Sequence, residues 1–103
     1  IIFNGDDSAK LTVKGGTFKN YNGEVINLYQ GTVKITGGTL KAYGKSSSAV
    51  YADTGTLKIT GGTIYSKKYY AVYYRERDCT YSEKNAKVST GSDEYISVYA
   101  SED

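Results

Sequence analysis

The chain contains no histidine, proline, methionine or tryptophan, and only one cysteine, Cys79, in 103 residues. Without histidine the commonest acid–base group and metal ligand is missing, which excludes Ser-His-Asp and Cys-His catalytic sets and His-based zinc sites. One cysteine cannot close an internal disulfide, so packing and hydrogen bonding must hold the fold. Cys79 stands beside Arg77 and Asp78 with no base near it and reads as a bystander thiol. No apolar run approaches the roughly 18 residues of a spanning helix, so insertion of a helix into a membrane is not expected. Thirteen Lys and Arg against eleven Asp and Glu leave a net charge of +2, too small and too scattered to predict binding to nucleic acid. The sequence has no initiator methionine or leader and starts abruptly at Ile1-Ile2-Phe3. It is therefore expected to be a cut from a longer chain.

What is abundant points to strands. Twelve tyrosines outnumber two phenylalanines, and threonine, valine and isoleucine supply the β-branched residues that fit a pleated surface.

The main signal is an internal repeat. Leu11-Thr-Val-Lys-Gly-Gly-Thr-Phe18 recurs as Val33-Lys-Ile-Thr-Gly-Gly-Thr-Leu40 and Leu57-Lys-Ile-Thr-Gly-Gly-Thr-Ile64, the glycine pairs lying 22 and 24 residues apart. A second block follows each copy: Val25-Ile-Asn-Leu-Tyr-Gln-Gly-Thr32, Ala49-Val-Tyr-Ala-Asp-Thr-Gly-Thr56 and Ala71-Val-Tyr-Tyr74. In the first block apolar residues alternate with lysine and threonine, the period of a strand with one buried face. Gly-Gly-Thr then marks a corner, and a second short strand starts with Phe18, Leu40 or Ile64 facing inward. The small residues Asn20, Ala42 and Ser66 follow two positions later. The second block adds a third strand with Ile26, Val50 and Val72 inside.

Three strands and three corners per 22–24 residues make one coil of a solenoid whose backbone groups pair with the coils above and below. The expected fold is all-β, a right-handed parallel β-helix of about three full coils plus partial terminal ones. Leucine-rich repeats lack support because their asparagine ladder is absent, calcium-binding nonapeptides because the aspartate after Gly-Gly is missing, and left-handed helices because no hexapeptide period exists.

The expected division is one domain, residues 1–103, with coils 11–32, 33–56 and 57–85, and a partial coil 86–103. Four interior columns are expected: Leu11, Val33, Leu57; Val13, Ile35, Ile59; Phe18, Leu40, Ile64; and Ile26, Val50, Val72. Residues 75–85 break the spacing and read as an insertion projecting from a corner. Ala86–Gly91 then reads as a degraded first block and Tyr95–Tyr99 as a last strand.

Carboxylates are the remaining chemistry. The pairs Asp6-Asp7, Asp93-Glu94 and Glu102-Asp103 are sequence neighbours, and the positions equivalent to Asp53 are Tyr29 and Arg75, so no set of converging oxygens for calcium is expected. No catalytic residue, metal ligand or cofactor is assigned. Outward aromatic residues are the better candidates: Tyr51 and Tyr73 should stack on one face, Tyr21 and Tyr43 on another, and Tyr69, Tyr70 and Tyr74 should crowd near the third coil. A column of Lys34, Lys58 and Lys87 would suit an acidic polysaccharide. Equally, stacked tyrosines are ordinary cross-strand packing and lysines blunt sheet edges.

The blocks Leu57-Lys-Ile-Thr-Gly-Gly-Thr-Ile64 and Ala49-Val-Tyr-Ala-Asp-Thr-Gly-Thr56 resemble the Gly-Gly-Thr coils of bacterial cell-surface proteins with pectin-lyase-like β-helices, over roughly residues 11–74. The resemblance implies export to the cell surface or medium, and a carbohydrate-binding or adhesin-like role. It does not carry over a lyase active site, because no such motif maps onto this chain. The expected function is a non-enzymatic surface module that binds polysaccharide or acts as a spacer, with neighbouring coils of the parent chain as its other contacts. The alternative is a non-catalytic fragment of a polysaccharide lyase.

Overall fold

The computed structural model describes residues 1–103 and contains thirteen strands and no helix. The strands are β1 Ile2–Asn4, β2 Lys10–Val13, β3 Thr17–Asn20, β4 Ile26–Gln30, β5 Thr32–Ile35, β6 Thr39–Ala42, β7 Val50–Ala52, β8 Gly55–Ile59, β9 Thr63–Ser66, β10 Val72–Arg75, β11 Cys79–Glu83, β12 Lys87–Thr90 and β13 Val98–Ser101. Every third strand joins the same sheet. One sheet runs β1-β4-β7-β10-β13, a second β2-β5-β8-β11 and a third β3-β6-β9-β12, with all neighbours parallel. The chain is a parallel β-solenoid of about four turns.

The register follows the repeat. Val13 lies under Ile35 and Ile35 under Ile59, Phe18 under Leu40 and Leu40 under Ile64, and Ile26 under Val50 and Val50 under Val72. Leu11, Val33 and Leu57 form the fourth expected column. Val33, Ile35, Leu40, Val50, Leu57, Ile59, Ile64 and Val72 are fully buried, whereas Leu11 and Phe18 on the first coil are only half-buried because nothing lies beneath them. Full burial of such a side chain contributes about 1.5–3 kcal/mol, so the middle coils hold most of the hydrophobic stabilisation.

At the Gly-Gly-Thr corners the backbone ladder continues around the bend: Thr39 N–H donates to Gly16 O, Thr63 to Gly38 O and Lys87 to Gly62 O, each at 2.9 Å. The second glycine of each pair has positive φ, +93° at Gly16, +95° at Gly38 and +92° at Gly62, a conformation a side chain would strain.

The segment 75–85 is not an insertion. Cys79–Glu83 is β11, paired with Gly55–Ile59 in full register, Tyr81 over Leu57 and Glu83 over Ile59. The turn is closed by Asp78 N–H donating to Arg75 O at 3.2 Å, and Asn85 takes the left-handed φ of 65° at the corner that follows. The coil has lost its glycines and its hydrophobic alternation but kept its length. Residues 86–91 are accordingly no first block: Lys87–Thr90 is β12, the strand after the corner, with Val88 on Ile64. The last strand starts at Val98 rather than Tyr95.

Candidate functional site

The first sheet presents a face of tyrosine. With Val50 and Ala52 inside, Tyr51 must point out; with Val72 inside, so must Tyr73. The register stacks Asn27, Tyr51, Tyr73 and Tyr99 in one outward column. The ring centroids of Tyr51 and Tyr73 are 5.4 Å apart and those of Tyr73 and Tyr99 5.1 Å, while Tyr29 meets Tyr51 edge-on at 6.3 Å. The corner before this sheet widens the face. Tyr70 lies parallel to Tyr99 at 4.6 Å, and Tyr95 packs against Tyr69 and Tyr70 at 4.8 and 4.9 Å. Seven tyrosines thus touch in one continuous series from Tyr29 to Tyr69.

Three of these phenols are shifted upward. Partial burial raises the pKa of Tyr51, Tyr69 and Tyr70, with neighbouring Asp53 adding to the rise at Tyr51 and neighbouring tyrosines at the other two. Beside the column, Arg75 donates to the Asp53 carboxylate one coil below, and also to Asp103 O at 3.1 Å. The hydrogen bond to Asp53 raises the guanidinium pKa, and the pair leaves that edge of the face charged but internally paired. The position opposite Asp53 is thus filled by a cation.

The other expected residues are distributed as follows. Tyr21 and Tyr43 stack at 4.9 Å with rings 13° apart, at the corner after the third sheet, and Tyr21 is 64% exposed. Lys34 and Lys58 are paired and exposed on the second sheet. Lys87 does not join them: it starts β12 on the third sheet beside Thr63, and Ser82 occupies the place above Lys58. Tyr74 also departs from expectation. Two positions after the inward Val72, it stands over Ala52 and turns inward, stacking on Tyr81 at 4.8 Å.

Tyr29, Tyr95 and Tyr99 were not anticipated as members of the face. Tyr99 lies in the column because the coil that contains it is 26 residues long, measured from Tyr73 to its partner. Cys79 is buried over Gly55, and burial pushes its thiol up to about 11, which leaves it protonated and unreactive at neutral pH. No three Cys, Asp or Glu side chains converge in a way that would hold a metal ion.

Comparison with known protein families, with curated proteins and with solved structures found no match.

Proposed function

We propose that this solenoid is a non-enzymatic module of a secreted or surface-anchored bacterial protein and that its tyrosine face binds polysaccharide. The observation that carries the reading is the contiguity of Tyr29, Tyr51, Tyr73, Tyr99, Tyr70, Tyr95 and Tyr69 on one sheet and its adjoining corner. A contiguous strip of mutually tilted aromatic rings supplies apolar area for the C–H faces of sugar rings at low conformational-entropy cost, since each tyrosine has only two rotatable side-chain bonds. Each ring is further fixed by its neighbours, so little order is lost on binding. The coil repeat of roughly 4.8 Å is close to the length of one sugar unit in an extended chain, which allows successive rings to meet successive units. The Gly-Gly-Thr coils, through their resemblance to bacterial surface β-helices, support the setting.

The test is affinity electrophoresis and calorimetry against a panel of neutral and acidic polysaccharides, with Tyr51→Ala/Tyr73→Ala beside the parent protein. Retardation by at least one polymer, weakened about tenfold or more in the double variant, is expected. Failure of the folded parent protein to bind any member of the panel leaves the module as a spacer and ends the binding reading.

A further inference from the structure

The corner between the third and first sheets alternates in length. The connecting segment has five residues at Tyr21–Val25, seven at Tyr43–Ala49, five at Lys67–Ala71 and seven at Gly91–Ser97. Since the coils lie directly on one another, the short third segment is recessed between two longer ones. A notch of about 360 Å³ opens there, lined by Lys45 from below, Lys67 and Lys68 on its floor, and Ser92, Glu94 and Tyr95 from above.

Three features make this notch more than a surface irregularity. Its walls are tied together: Ser66 Oγ donates to Ser47 O at 2.6 Å and accepts from Tyr69 N–H at 3.2 Å, Thr90 Oγ1 donates to Tyr69 O at 2.6 Å, and Ser92 N–H donates to Thr90 Oγ1 at 3.1 Å. The upper segment lies close on the one below at Gly91, where a Cβ would fall 2.9 Å from Lys67 O and 2.6 Å from Tyr65 Oη. Its charge is unspent: three lysines and one glutamate line it, and neither ion pair of the chain involves any of the three lysines. It is also continuous with the aromatic strip, because Tyr95 both lines the notch and packs on Tyr69 and Tyr70.

We infer that the notch receives the carboxylate or sulfate of an acidic polysaccharide whose neighbouring sugar rings run onto the tyrosines. The inference rests on the polysaccharide-binding reading above and narrows it to an anionic polymer. Ammonium groups on flexible stems suit a carboxylate or sulfate that does not demand bidentate geometry, and Ser92 adds a hydroxyl beside them. Lys34 and Lys58, on a different sheet, take no part.

The experiment measures affinity for hyaluronan, alginate and chondroitin sulfate, each beside its carboxyl-reduced (and, for the last, desulfated) form, and for inorganic polyphosphate. The proteins are the parent chain, a Lys45→Gln/Lys67→Gln/Lys68→Gln variant, a Lys10→Gln/Lys34→Gln/Lys58→Gln variant that removes equal charge elsewhere, and Tyr51→Ala/Tyr73→Ala. The parent should prefer at least one acidic form over its neutral counterpart by about tenfold, a preference abolished in the notch variant, kept in the equal-charge control, and weaker at high salt. Equal affinity for acidic and neutral forms, or equal losses in the two lysine variants, overturns the notch while leaving the tyrosine face standing. Polyphosphate held as tightly as the best polysaccharide, and unaffected by loss of the tyrosines, overturns the saccharide assignment. No binding to any polymer removes the tyrosine-face reading itself.

Discussion

A Cβ placed on Gly55 would lie 2.2 Å from the carbonyl oxygen of Gly31, the residue one coil below it at the corner between the first and second sheets. Gly55 also has φ +118°. The close approach and the backbone conformation both require glycine, whereas a Cβ on Gly15 would meet nothing within 4 Å. Gly55→Ala is therefore expected to destabilise the protein by at least about 2 kcal/mol, while Gly15→Ala stays within about 1 kcal/mol of the parent. Urea titrations of the two variants check this, and equal midpoints would contradict the stacked corner.

Position along the solenoid should set the cost of deleting core side chains. Ile59 is fully buried with a coil on either side, so Ile59→Ala should cost about 2–5 kcal/mol. Leu11, half-buried on the first coil with only Val33 above it, should lose less on truncation to alanine. Urea midpoints in the reverse order would argue that the end coils, not the middle ones, carry the core.

How much of this was legible in the sequence depends on which residue defines each coil. The columns built on Val13, Ile35 and Ile59 could be read directly, because strand alternation and the glycine corners repeat together. The fourth coil could not, since Cys79, Tyr81, Glu83 and Asn85 stand where Gly55, Leu57, Ile59 and Gly61 stand in the coil below. Only the unchanged 24-residue spacing, Tyr81 after Leu57 and Val88 after Ile64, remained to mark it. Lys87 was misplaced for the same reason: Lys87-Val-Ser-Thr-Gly91 imitates the first block while occupying the strand after the corner. Tyr73 over Tyr51 followed from the repeat, whereas Tyr95 and Tyr99 lie beyond its recognisable part. The notch was encoded in the alternating corner lengths, yet it becomes visible only once those corners are known to lie on top of one another.

Alkaline conditions should unfold the last complete coil first. Burial pushes the Cys79 thiol from 9.0 to about 11, and burial followed by the charge of Glu83 pushes the Tyr81 phenol from 10.0 to about 12. Both groups stay protonated in the folded chain at pH values where the unfolded chain has released the proton. The stability they contribute is complete below pH 9 and is lost as pH rises through 11 and 12. Urea midpoints should fall between pH 9 and 12, with a shallower fall from 10 upward in Tyr81→Phe. At neutral pH that variant should be as stable as the parent or more so, because the Tyr81 hydroxyl is buried without a partner. A flat profile across this range would show that Tyr81 and Cys79 are solvent-accessible.

The register of the coils is tested most directly by spin labels in a Cys79→Ser background. Lys34 and Lys58 are paired on adjacent coils of the second sheet, and Thr12 and Ser82 lie on its outermost strands in the same column. Labels at Lys34→Cys and Lys58→Cys should show strong dipolar broadening, from backbones roughly 4.8 Å apart, and those at Thr12→Cys and Ser82→Cys a separation near three such steps, roughly 14 Å. Spectra equal to the sum of the singly labelled chains, for the adjacent pair above all, would contradict the stacking on which the tyrosine face and the lysine notch both depend.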